Sequence, residues 1–320
     1  MKEVAFIKQN KEKWLEFERS LTSKQSQDPD EMASLYIHLL NDLSYSQTYY
    51  PKSKTTVYLN FLVSQIYRKI YKTKRVDRNR FLYFFRTEVP LIMYRYRKIM
   101  WLSLFIFSFF VALGAISARY DDAFVRLILG DAYVNMTLEN IENGDPMAVY
   151  KSDGALGSFI GITINNISVA FRAFIFGVTA GLLTFYIALQ NGIMIGAFQY
   201  FFYEHGVFEA SLRGIWLHGA MEIFSIVVAT ASGFVLAASI LFPKTFSRLN
   251  SFKMGFQDSL RIIGSTIPFF VAAGFIEGFI TRHSNTMPLW LNVLIIIGSL
   301  CTISFYYLIY PYLVAKKQKK

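Results

Sequence analysis

Four ionisable side chains stand inside long apolar runs of this chain: Arg172, His218, Glu222 and Glu277. In hydrocarbon each costs about 3 kcal/mol on insertion scales, so such groups face protein and find partners. His218 and Glu222 are four residues apart, which puts them on one face of a helix. Three kinds of chemistry fit the set. The charges could staple a bundle, with an Arg172–Glu222 or Arg172–Glu277 pair offsetting part of the burial cost. They could hold an ion, a proton or a polar ligand. They could ligate a hydrolytic metal, but His-x-x-x-Glu supplies only two ligands. Of the other histidines, His38 lies far upstream, and His205 and His283 are poorly placed as a third ligand. No bound metal, cofactor or catalytic residue is therefore expected.

The elements that must position these groups are membrane spans, each needing about 20 predominantly apolar residues. Residues 99–117, 167–189, 215–242, 262–280 and 289–310 qualify, and 192–203 is apolar but short. Lys and Arg crowd the stretch before the first run, the 243–261 loop and the C-terminal tail (Lys316, Lys317, Lys319, Lys320). Residues 118–165 instead hold three Lys/Arg against seven acids. The positive-inside rule then places both termini in the cytoplasm and 118–165 outside. Both termini on one side require an even number of crossings, so six are expected, the third short. In that topology Arg172, His218, Glu222 and Glu277 converge in the outer half of the membrane.

Composition excludes a soluble protein. Of 320 residues, 53% are apolar and 17% charged, against about 25% charged in ordinary soluble domains. The charge is also segregated: residues 1–98 carry 19 of the 33 Lys+Arg. The net charge of +11 flanks apolar segments, where it reports orientation, so nucleic acid is not an expected partner. The lone Cys301 excludes an intramolecular disulfide and a cysteine metal site.

Residues 1–98 read as a cytoplasmic helical domain and 99–320 as the transmembrane domain. Val4, Ile7, Trp14, Leu15, Phe17 and Leu21 mark a first helix. Asp28-Pro29 suits the start of a second, and a third is expected from about Lys54 to Lys72. Tyr36, Tyr45, Tyr49, Tyr50, Tyr58, Tyr67 and Tyr71 fit either this small core or a surface that meets headgroups. The basic stretch 68–98, broken by Phe81, Leu82, Phe84 and Phe85, reads as a segment lying on an anionic leaflet. In the outer stretch, Phe124, Leu127, Ile128, Leu129, Val134 and Leu138 suggest an amphipathic helix, with 157–164 as a second interfacial element.

Small residues recur at helix-packing spacing: Gly177 and Gly181, Gly192 and Gly196, Gly274 and Gly278, with Gly219 and Gly233 in the fourth span. Such pairs let helix backbones approach closely. Asn165, Asn166 and Asn191 bracket the expected second span, where they could cap it or bond between helices. There is no P-loop, no G-x-S-x-G elbow, no His-Glu-x-x-His and no dinucleotide turn.

Asn165-Asn166-Ile167…Phe171…Gly177…Gly181, then Leu189-Gln190-Asn191-Gly192…Gly196, His218-Gly219-x-x-Glu222…Gly233 and Pro268…Ile276-Glu277 resemble the stage II sporulation protein M family. The resemblance implies a multi-pass bacterial inner-membrane protein. Founding members of that family act in spore engulfment as a platform for cell-wall-degrading partners and are not known as enzymes. The expected fold is thus an all-α, polytopic transmembrane bundle with a small N-terminal helical domain. The leading expected function is a non-enzymatic scaffold for envelope-remodelling partners, with the bilayer, such proteins and a second copy of the chain as candidate partners. The alternative is a transporter or channel subunit using the Arg172, His218, Glu222 and Glu277 cluster.

Overall fold

Every regular element among the described residues is helical, and the chain parts into two units between Arg78 and Asn79. The structure, a computed structural model, describes residues 2–22, 29–70, 79–148, 154–284 and 286–318.

The first unit holds α1 (Glu3–Thr22), α2 (Pro29–Tyr49) and α3 (Lys54–Ile70). One apolar stripe from each helix closes a core of Phe6, Trp14, Phe17, Leu39, Leu43, Leu59, Leu62, Val63 and Ile66. The Asp42 carboxylate pins α1 to α2, accepting from Trp14 Nε1 at 2.9 Å and pairing with Lys13 Nζ at 3.2 Å. Glu3 ties the start of α1 to that of α3, accepting from the Ser53 and Thr55 hydroxyls. Those bonds hold its carboxyl below the usual range. The tyrosines divide: Tyr36, Tyr45, Tyr50 and Tyr58 pack on the core, while Tyr49 and Tyr67 are exposed. Tyr71 and the Asp28 cap lie outside the described residues.

Among the described residues, the second unit contains six helices long and apolar enough to cross a membrane. The first is α6 (Arg97–Tyr120). The second is α9 (Ala155–Ile175), continued by a 3-10 turn to Thr179. The third is α10 (Leu182–Glu204) and the fourth α11 (Phe208–Leu241). α12 (Arg248–Phe275) continues through a π turn (Ile276–Ile280) and a 3-10 turn (Thr281–His283) as the fifth. α13 (Leu289–Ser304) leads through a further π turn into α14 (Tyr310–Gln318) as the sixth. α11 is the hub: 72% of its apolar stretch is buried, against 17–44% for the other five. Between the first two crossings, α7 (Asp122–Leu129) and α8 (Asp131–Glu142) cover one end of the bundle, called here the far end. Gly130, at φ 86°, separates them.

Two boundaries differ from the sequence expectation. Residues 157–164 are not an interfacial element but the first turns of α9. The expected span 167–189 is cut by a reversal at Ala180 (φ 56°) and Gly181 (φ 86°). No hydropathy dip marks this turn, because its backbone is satisfied by neighbouring hydroxyls. Thr184 Oγ1 donates to the Ala173 carbonyl at 2.8 Å, and Leu183 N donates to Thr179 Oγ1 at 3.1 Å. The third crossing consequently starts at Leu182; it remains the shortest of the six, yet its 23 residues suffice for a full crossing.

The basic stretch before the first crossing also departs from expectation. Residues 71–78 lie outside the described residues, but α4 (Arg80–Tyr83), a π turn (Phe84–Glu88) and α5 (Val89–Arg95) belong to the second unit. Val89, Ile92 and Met93 are buried in its core, so their apolar face meets protein. Acids explain the docking. Asp258 of α12 accepts from Arg95 Nη1 at 2.9 Å and from the Tyr96 hydroxyl at 3.0 Å, and Glu88 pairs with Arg261 at 2.8 Å. Burial first, and the Asp258 charge second, push the Tyr96 hydroxyl up to about 12. The Tyr306 and Tyr310 hydroxyls donate to the carbonyls of Phe85 and Arg86 in the π turn.

Candidate functional site

His218 and Glu222 project from α11 one turn apart, and Glu277 from the π turn that follows α12. A π turn inserts an extra residue into the helical ladder and so re-aims the side chains around it. Here Glu277 meets the α11 pair: one ligand-capable atom of each group lies within 4.8 Å of the others. His218 is 4% exposed and Glu277 9%. His218 Nε2 stands 3.7 Å from Glu277 Oε2, beyond direct hydrogen-bond reach.

The other ring nitrogen meets a hydroxyl. His218 Nδ1 lies 3.2 Å from Thr281 Oγ1, which is 3.3 Å from the Ile276 carbonyl. Thr281 thus joins the His218 ring to the turns around Glu277.

These groups line a cavity of about 540 Å³ between α9, α10 and α11. Asn165 and Asn166 enter it from α9, Asn191 and Gln199 from α10, and Ile128 and Tyr133 from the far-end helices. No Lys or Arg is among the described lining residues, so two carboxylates share it without a cationic side chain. Asn166, 6% exposed, lies close enough to Glu222 to act on its charge, yet its Nδ2 makes no hydrogen bond of normal geometry. The buried Oε1 of Gln199 has no partner either.

Arg172 does not join the cluster. It lies on the α9 surface, exposed, with Nε donating to its own-helix Ser168 carbonyl at 3.4 Å. The displaced span boundary explains this. Arg172 is six residues beyond Asn166 in a helix running away from the far end, hence about 9 Å deeper toward the opposite end. Neither expected Arg172–Glu pair exists among the described residues. Asn165, Asn166 and Asn191 are likewise interior to α9 and α10, not caps. Asn191 donates to the Ile187 carbonyl at 2.8 Å in its own helix.

The glycines separate into two groups. A Cβ on Gly177 would strike Gly233 O, and one on Gly233 would strike Ala173 O and Thr184. Gly181 faces Ala237, Gly192 faces Phe110, and Gly196 faces the backbone of Val111 and Ala115. Gly274 faces Thr163, and Gly278 faces Ala155 and Phe159. Gly219 is different, because a Cβ there meets nothing nearer than 3.5 Å, the Ile215 and Ile223 side chains of its own helix. It opens the cavity instead of closing a helix contact.

The third partner of His218 and Glu222 is Glu277, not His205 or His283. His205 Nδ1 contacts its own helix at the Phe201 carbonyl, 2.8 Å away. Thr281 and Gln199 escaped the sequence reading. For Thr281 a signal existed, a hydroxyl four residues after Glu277; nothing distinguished Gln199.

A family model described as Stage II sporulation protein M matches residues 103–282, which include every polar residue that lines the cavity. A second model, a domain of unknown function (DUF8413), matches residues 4–72. No curated protein and no solved structure matches the chain.

Proposed function

The chain belongs to the Stage II sporulation protein M family, and from that premise we propose a membrane transporter or channel subunit that takes a small cationic solute into the His218–Glu222–Glu277 cavity. One observation carries this reading: a cavity of about 540 Å³ reaches two carboxylates in the bundle, and no Lys or Arg lines it among the described residues. A group of charges that only stapled helices would be paired within a packed surround, and Arg172, the cation expected there, lies on the α9 surface. Within this reading the Lys/Arg-rich end of the bundle faces the cytoplasm of a bacterial inner membrane, and the cavity opens toward the outside.

Flux into proteoliposomes tests it. Full-length protein would be challenged with gradients of H⁺, Na⁺, K⁺ and divalent cations, beside Glu222→Gln and Glu277→Gln. Wild-type protein should dissipate at least one gradient and both variants should fail to. Absence of flux for every cation would refute the reading.

The scaffold reading has its own support. The head is a separately packed helical unit that leaves Val4, Ile37, Val57 and Phe61 more than half exposed. Crosslinking in native membranes followed by purification should then recover envelope-remodelling proteins; recovery of the chain alone would count against it.

A further inference from the structure

We propose that His218 Nε2, Glu222 and Glu277 bind a divalent first-row transition-metal ion at the closed end of the cavity. This rests on the reading that the cavity accepts a cation, and it names which class.

Geometry is the first ground. With Nδ1 at Thr281, the His218 ring turns Nε2 toward Glu277 Oε2, 3.7 Å away. Ligand atoms on a shared tetrahedral ion, each about 2.1 Å from it, stand about 3.4 Å apart. The His218–Glu277 separation nearly meets that value, and the full triad, within 4.8 Å, closes by side-chain rotation of Glu222.

Charge is the second ground. A neutral imidazole and two carboxylates balance a divalent ion and leave no net charge to bury in a bundle. A monovalent ion would leave one negative charge unmatched. An imidazole ligand favours Zn²⁺, Fe²⁺ or Ni²⁺ over Mg²⁺ or Ca²⁺, which select all-oxygen sites.

The orphaned polar atoms are the third. Three protein ligands leave a coordination position open toward the cavity. Asn166 Nδ2, beside Glu222, and Gln199 Oε1 are buried on that cavity without a hydrogen bond of normal geometry among the described residues. Such groups require a ligand or ordered water. A donor and an acceptor are what a metal-bound water or small polar solute would use. Thr281 acts as a positioning residue through the His218 ring.

The test uses full-length protein in lipid nanodiscs, stripped with chelator and then dialysed against Zn²⁺ or Ni²⁺. About one ion per chain should be retained, and His218→Ala, Glu222→Gln and Glu277→Gln should abolish retention. Thr281→Val should weaken affinity about 10- to 100-fold. Because variants could fail to fold, Co²⁺-loaded wild-type protein provides a second reading. Its X-ray absorption should report one imidazole among oxygen ligands. No saturable retention by wild-type protein, or a Co²⁺ shell without imidazole, overturns the proposal. Flux of H⁺ or Na⁺ that needs Glu277, with no metal bound, overturns the metal while leaving transport standing. A bound metal without flux of any cation supports the site and overturns transport.

Discussion

Gly196 and Gly219 look alike along the chain, and the structure separates them sharply enough for a quantitative contrast. Alanine at either position gains about 0.8–1.0 kcal/mol of helix propensity, a term that cancels when the two variants are compared. What differs is the neighbour. A Cβ on Gly196 would run into Val111 O and stand 2.7 Å from Ala115 N, and these are backbone atoms of α6 that cannot rotate aside. Either α6 and α10 separate or the helices deform, and overpacking of this kind costs about 1–3 kcal/mol. A Cβ on Gly219 meets Ile215 and Ile223 at 3.5 Å, an ordinary contact, and projects into open volume. Gly219→Ala should therefore be more stable than Gly196→Ala by about 1–3 kcal/mol. Unfolding of each full-length variant by SDS titration in lipid micelles, followed by circular dichroism, measures the difference. If Gly219→Ala were as destabilised as Gly196→Ala, its placement at the cavity and away from a helix contact would be wrong.

Glu3 supplies a pH test. Hydrogen bonds from Ser53 and Thr55 lower its folded-state pKa, so its contribution is present above the unfolded value of about 4.5 and is lost as pH falls through the folded value. Amide protection of α1, corrected for intrinsic exchange, should drop on acidification below pH 4.5, with a smaller drop in Glu3→Gln; equal profiles would exclude the linkage. At Asp258, replacement by Asn should cost about 1–3 kcal/mol, mostly through the part-buried Tyr96 hydrogen bond, because Arg95 is 66% and Arg261 40% exposed and their pairs are largely screened. The same SDS titration reads it, and a loss below 0.5 kcal/mol (about the noise of surface substitutions) would contradict the docking role. Arg172→Gln should leave cation flux and metal retention unchanged, since the exposed guanidinium is outside the cavity; a loss matching that of Glu277→Gln would return it to the site.

Some of this protein is written locally. Six crossings and a helical head follow from where apolar runs and basic residues fall, because transfer into hydrocarbon is a sum over residues. The shared face of His218 and Glu222 follows from a spacing of four on a helix. Hydropathy, however, treats lipid and protein interior alike. It could not register the reversal at Ala180 and Gly181, around which the Thr179 and Thr184 hydroxyls satisfy Leu183 N and the Ala173 carbonyl without any strongly polar interruption of the run. That shift of span boundaries removed Arg172 from the cluster and made membrane-interior cavity residues of Asn165, Asn166 and Asn191. Glu277 as the third ligand, and Gly219 as open space, depend on a π turn and on which faces of α9, α10 and α11 fail to touch. Contacts between residues sixty apart are decided by packing of whole helices, and no local periodicity encodes them.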